Sequence, residues 1–201
     1  MTLRRVEFCG GIGAGKSTCA ALVVHRWQLP LVAERFEDIP YWRLFYQHPA
    51  AFTLEKDLSF LLSHADTMRS APGPCVCDFA MVQTVAYSAI TADAEDMRAV
   101  AAVYERLTAR VGHPCTIVRL RCHPEVQLRR IAERGRAPEA GITRNYLERL
   151  DAAIEAELAR IPADVPRIVF DTTVAPPAAL LDHPDLVAFF RRTLRLTPPS
   201  S

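Results

Sequence analysis

Apolar residues along this chain fall into two periods. Short runs of consecutive hydrophobics at Arg5–Cys9, Leu31–Ala33, Pro74–Cys77, Thr116–Leu120 and Arg167–Phe170 predict strands buried on both faces. Longer stretches with three-to-four spacing predict helices over Lys16–Trp27, Ile39–His48, Ala50–Arg69, Met81–Ile90, Ala94–Val111, Pro124–Glu133, Thr143–Ile161 and Pro184–Leu194. In Thr143–Ile161 the stripe is Tyr146, Leu147, Leu150, Ile154 and Leu158, the pattern of a helix lying on a core. Five short strands alternating with helices predict an α/β fold, a five-stranded parallel sheet flanked by helices on both faces. Ligands of such sheets bind at the carboxyl ends of the strands, so the site is expected there. One domain over residues 1–196 accounts for the pattern, and the closing "LTPPSS" is expected to fray over 197–201.

The first strand runs directly into "GGIGAGKST", Gly10 to Thr18. Gly10, Gly15, Lys16 and Ser17 satisfy G-x-x-x-x-G-K-[ST], the P-loop spacing, with Gly11, Ile12, Gly13 and Ala14 between them. Such a loop turns backbone N–H groups onto phosphate oxygens, and the following helix adds its positive N-terminal end. Lys16 is placed to reach the β- and γ-phosphates and Ser17 to hold Mg²⁺. This predicts a triphosphate site with Mg²⁺.

Phosphoryl transfer from such a loop needs a base near the acceptor, and cations for the charge that develops on the transferred group. Glu34 and Asp78 are expected at the ends of strands two and three, on the edge facing the loop. The cations are expected from "RRIAERGRAPEAG". Arg130 and Arg134 lie four apart on one helix face, and Arg136 follows Gly135, which suggests a flap over about 130–141 that closes on phosphate.

Composition narrows the class. Half the 201 residues are hydrophobic, but no run is long and uncharged enough to predict a membrane span, and a net charge of +1 argues against a broad nucleic-acid binder. With no secretory leader evident, a cytoplasmic protein is expected. The six cysteines form no CxxC pair and read as buried free thiols. Only two lysines, Lys16 and Lys56, stand against 22 arginines, and one of them lies in the glycine-rich loop.

From the loop through "FYQHP" and "FLLSHA" to "RGRAPEAGITRNYLERL", the chain resembles the deoxynucleoside kinases, the group of deoxycytidine, deoxyguanosine and deoxyadenosine kinases. The resemblance implies a homodimer, with contact through the helix after strand three, that uses ATP and Mg²⁺ to phosphorylate a nucleoside 5′-hydroxyl. It implies Glu34 as general base, Tyr46 and Glu139 as the pair holding the sugar 3′-hydroxyl, and Arg130, Arg134 and Arg136 as phosphate-binding arginines. It also implies Asp78 as a carboxylate assisting Mg²⁺, and the adenine of ATP near Asp171, Thr172 and Thr173. Trp42 is expected to line the acceptor pocket; Phe60 is expected in the core.

The departures fall where the family reads the base. Asp78 is followed by Phe79 and Ala80 where many members carry arginine and serine. Asp57 stands where a glutamine usually contacts the base, Thr84 stands for an aspartate, and His64 for an arginine. Two acceptor types fit these changes. One is a modified nucleoside; the other is an ordinary purine nucleoside with Asp57 accepting from the amine and ring N–H of guanine. A P-loop kinase of a non-nucleoside alcohol and a nucleotide-binding regulatory subunit without turnover are the alternatives from other classes.

Overall fold

Five parallel strands form one sheet in the order β2-β3-β1-β4-β5. The strands are β1 (Arg5–Cys9), β2 (Leu31–Val32), β3 (Cys75–Cys77), β4 (Thr116–Arg121) and β5 (Arg167–Asp171). The helices are α1 (Lys16–Trp27), α2 (Trp42–Gln47), α3 (Pro49–Ser70), α4 (Met81–Thr91), α5 (Ala94–Val111), α6 (Pro124–Arg134), α7 (Arg144–Leu158) and α8 (Pro184–Arg192). The structure, a computed structural model, describes residues 4–192 and 194; the side chains of Tyr46, Pro49 and Ala50, and the 197–201 tail, lie outside the described ones.

The sheet is buried on both faces, as its continuous apolar strands require. Alternate residues of the central strands, Val6, Phe8, Val118 and Leu120, turn to the face covered by α1 and α8, where Trp27 stacks on Phe190 with ring centroids 4.6 Å apart. Cys9 and Ile117 turn to the other face and meet α4 and the buried stripe of α7, Leu150, Ile154 and Leu158. Each large apolar side chain taken from water contributes about 1.5–3 kcal/mol, so these layers supply most of the drive to fold.

The same alternation buries Arg5 and Glu7, which form a 2.6 Å ion pair. Arg5 also donates to the Val111 and Gly112 carbonyls at 3.2 and 2.7 Å, and Glu7 accepts from the Met81 amide at 3.3 Å. The polar residues of β1 therefore fix the end of α5 and the start of α4. Six successive residues of α4, Met81–Ala86, and Ser88 are buried within this chain.

The predicted elements are present, with about half of their ends displaced by one to three residues. The expected helix over Ile39–His48 is instead a 3₁₀ turn, Phe36–Asp38, followed by the shorter α2. Pro40 disfavours a helical residue before it, and Ile39 is extended (φ −75°, ψ 122°), while Tyr41 is left-handed at φ 65°. Helix α3 is interrupted at Phe52 (φ −131°, ψ 17°). Among the described residues no helix is long and apolar enough to cross a membrane.

Candidate active site

The loop between β1 and α1 is held from three sides. The Gly10 amide donates to Gln83 Oε1 at 3.0 Å, at the start of α4. Gln127 Nε2 on α6 donates to the Ile12 carbonyl at 2.8 Å. Arg130 Nη1 reaches the Gly13 carbonyl at 3.2 Å, while its other contacts run to the Thr172 hydroxyl at 3.1 Å and carbonyl at 2.7 Å. Thr172 in turn donates to the Ala14 carbonyl at 3.0 Å. Arg130 is thus a clamp between the loop and the segment after β5. Lys16 Nζ folds over the loop onto the Gly10 and Gly11 carbonyls at 2.8 and 3.3 Å. Burial holds its ammonium below the ordinary lysine range, an effect the charges of Glu34 and Asp78 partly offset. No acidic residue occupies the first turn of α1, so the positive helix end is free to meet an anion.

Glu34 lies two residues beyond the end of β2, not at the end of the strand as expected, and its amide donates to Asp78 Oδ1 at 2.6 Å. Its carboxylate is about one-third exposed, at 31%, and Oε1 lies 3.1 Å from His64 Nε2. Burial pushes the Glu34 carboxyl up, but the hydrogen bond and charge of His64, with Lys16 and Arg136, outweigh it and hold the group below the usual carboxylate range. The His64 ring stacks on Phe79 at 3.9 Å and 14°, so Phe79 supports the imidazole that pairs with Glu34. Asp78 is pushed the other way. Burial raises its carboxyl above the ordinary range, although the Glu34 amide, the Ser17 hydroxyl and Lys16 favour the ionised form.

Glu34, Lys16 and the arginines of the α6–α7 connection face one cavity of about 450 Å³. Arg134 bonds Glu139 Oε2 through Nε at 3.2 Å and Nη2 at 2.5 Å. Arg136 lies 3.5 Å from Glu139 Oε1, with its guanidinium 4.4 Å from the Phe36 ring centroid. Glu139 therefore holds Arg134 and Arg136 together in the cavity wall. Lys56 and Asp57 line the same cavity, where Lys56 Nζ meets Asp57 Oδ1 at 2.6 Å and the Ser88 hydroxyl donates to Asp57 Oδ2 at 2.6 Å.

The sequence profile of deoxynucleoside kinases matches residues 8–182. The chain belongs to the deoxynucleoside kinase family. A deoxyguanosine kinase of Bacillus subtilis (strain 168) is 25% identical over 166 residues, 79% of this chain and 80% of that protein. Solved structures of deoxyadenosine kinase from M. mycoides, with bound dCTP or bound dATP, each superpose with a TM-score of 0.75 at 21% identity. They cover 89% of this chain and 96% or 97% of those chains, and establish the P-loop NTPase fold. Family members are enzymes that phosphorylate nucleosides.

Against that membership the expected residues divide into four groups. Ile12, Gly13, Gly15 to Thr18, Glu34, Trp42, Asp57, His64, Phe79, Arg130, Arg134, Arg136 and Glu139 all line the one cavity. Gly10, Gly11 and Ala14 form the back of the loop, and Asp78 lies behind Glu34 and Ser17. Asp171 and Thr173 do not reach the cavity: the Asp171 carboxylate accepts from the Thr173 amide at 2.7 Å, and the Thr173 hydroxyl accepts from His123. Tyr46 belongs to α2, but its side chain is outside the described ones, so its pairing with Glu139 is not described.

One expectation needs correction. Phe60 is not a core residue; it is half-buried and lines the cavity, edge-on to His64 at 5.7 Å. Asp57 lines the cavity with one donor on each oxygen, Lys56 on Oδ1 and Ser88 on Oδ2. Sequence reasoning also missed Gln83, Gln127 and Lys56. Gln83 is a polar residue within the apolar run "MVQTVAYSAI", and Lys56 is one of only two lysines. Both signals were available.

Proposed function

We propose that this chain transfers the γ-phosphoryl group of ATP to the 5′-hydroxyl of a deoxynucleoside, giving the 5′-monophosphate and ADP. The observation that carries the reading is one cavity lined at once by the P-loop lysine, an ionised carboxylate and three arginines. Glu34 accepts the proton of the attacking hydroxyl, and His64 keeps its carboxylate oriented and charged. Lys16 leaves the Gly10 and Gly11 carbonyls for the phosphates, and Arg134 and Arg136 meet the charge that develops on the transferred group. Trp42, Phe60 and Phe79 provide apolar walls for a flat base and exclude water.

The Ser17 hydroxyl and Asp78 carboxylate meet beside the loop, a hard oxygen pair that fits Mg²⁺. Among the described residues no cluster of three His, Cys, Asp or Glu could hold a metal alone, which fits an ion carried largely by phosphates and water. Mg²⁺ there supplies neutralisation of phosphate charge. A cytoplasmic homodimer is part of the same reading and rests on the family alone. The relatives' names divide between deoxyguanosine and deoxyadenosine, so the choice of base falls to this chain's own residues.

The test is ADP release with ATP-Mg²⁺ across the common deoxynucleosides and ribonucleosides. The reading expects turnover on at least one deoxynucleoside, lowered about 10²–10⁴-fold in kcat by Glu34→Gln, the usual worth of a general base. ATP binding without turnover on the whole panel, or full activity in Glu34→Gln, contradicts it.

A further inference from the structure

We infer that Lys56 is the residue that selects the base, and that it selects a 6-oxopurine over a 6-aminopurine; the inference rests on the deoxynucleoside kinase reading. Both lysines of the chain line the same cavity, Lys16 at the phosphate end and Lys56 on α3. Lys56 is 7% exposed, and its Nζ lies 2.6 Å from Asp57 Oδ1 and 4.3 Å from the Phe45 ring centroid. Asp57 is 1% exposed and its second oxygen takes the Ser88 hydroxyl. An ammonium has three N–H donors. Asp57 takes one and a second side faces the aromatic ring, so a donor remains for whatever occupies the cavity.

The placement along α3 matches the base end of a nucleoside. His64, which meets Glu34, lies eight residues after Lys56, about 12 Å along a helix at 1.5 Å per residue. Glu34 marks where the reacting hydroxyl sits, so Lys56 is set at the distance of the far edge of a base. The wall between them is aromatic, with Phe60 beside the stacked His64 and Phe79.

Donor chemistry then discriminates. Guanine and hypoxanthine present O6 beside N7, two adjacent acceptors, and lysine pairs with that edge. Adenine presents an amine beside N7, so a buried ammonium there meets a donor and one of the two is left unpaired. Asp57 acts as the anchor that aims Lys56, which explains how a carboxylate can replace the amide expected at that position.

The experiment compares deoxyinosine with deoxyadenosine, whose bases differ at the 6-substituent and the N1 proton, by kcat/KM with ATP-Mg²⁺. The wild-type protein is expected to favour deoxyinosine by about 10-fold or more, the scale of one unpaired buried donor. Lys56→Met, which keeps the stem and removes the ammonium, is expected to bring the ratio close to one, while Lys56→Arg keeps the oxo preference. A wild-type protein that phosphorylates deoxyadenosine as well as deoxyinosine overturns the assignment, as does an unchanged ratio in folded Lys56→Met. Where Lys56→Met fails to fold, the wild-type ratio and Lys56→Arg decide. No turnover on any deoxynucleoside overturns the kinase reading itself, a separate outcome.

Discussion

Replacing Gly13 or Gly135 with alanine separates loop packing from backbone strain. Both glycines are left-handed, at φ +77° and +66°, so both variants meet the same cost of about 1–2 kcal/mol for an L-residue in that region. Their surroundings differ. A Cβ at Gly13 would lie 2.9 Å from the Gln127 carbonyl oxygen, 3.2 Å from Gln127 Cα and 3.3 Å from Ile131 Cγ1, whereas at Gly135 it would meet nothing within 4 Å. The two nearest Gln127 atoms are backbone and cannot rotate away, so Gly13→Ala carries an overpacking cost of about 1–3 kcal/mol as well. For a chain of this size 1 kcal/mol shifts Tm by about 2–4 °C. The expected decreases are therefore about 4–20 °C for Gly13→Ala and about 2–8 °C for Gly135→Ala, measured by scanning calorimetry without nucleotide. ATP titration of Gly13→Ala should show weakened binding too, because α6 holds the loop in its phosphate-ready shape. A Gly13→Ala protein no less stable than Gly135→Ala refutes the close seating of the loop on α6.

Gln83→Leu leaves the buried Gly10 amide without its acceptor, at a cost of about 1–3 kcal/mol, and should lower both Tm and ATP affinity; unchanged values would mean α4 does not hold the loop. Glu155 pairs with Arg119 and Arg121, and although burial pushes its carboxyl up, the two guanidinium groups bring it below the ordinary value. A depressed folded pKa gives stability that is present above the unfolded value and lost as pH falls through the folded one. Glu155→Gln should therefore lower Tm at pH 7, with the difference from wild type closing as pH falls below the ordinary glutamate range; a difference that persists in acid where carboxylates are fully protonated contradicts the pairing. Thiol titration at pH 8 should find two reactive cysteines, the half-buried Cys115 and Cys122, and six after denaturation. Burial pushes Cys9 up to about 12 and Cys19 up to about 11, so fast labelling of either in the native protein would refute their burial.

Strong periodicity made most of the fold legible. The helices Lys16–Trp27 and Ala94–Val111 carry unbroken patterns and clear ends, a glycine before the first and an Asp93 cap with Gly112 after the second, and both have the predicted bounds. The segment around "EDIPYWRLF" was misread because its apolar spacing is helical while Pro40 and the left-handed Tyr41 break the backbone there. The P-loop was legible because its chemistry is local. Partners distant in sequence were not. Nothing local says that Asp57 is satisfied by Ser88, 31 positions away, or that Glu34 meets His64 across 30. The same limit hid Gln83 and Gln127, whose roles exist only once α4 and α6 are laid against the loop. Phe60 was assigned to the core because hydrophobicity does not distinguish a core wall from a cavity wall.

Chromatographic and mass analysis of the product formed from a deoxynucleoside and ATP-Mg²⁺ tests the central claim most directly, with Glu34→Gln in parallel. The account predicts a deoxynucleoside 5′-monophosphate and ADP in equal amounts from the wild-type protein, and about 10²–10⁴-fold less of both from the variant. Phosphate on another hydroxyl, ADP released with inorganic phosphate alone, or an undiminished yield from Glu34→Gln would contradict it.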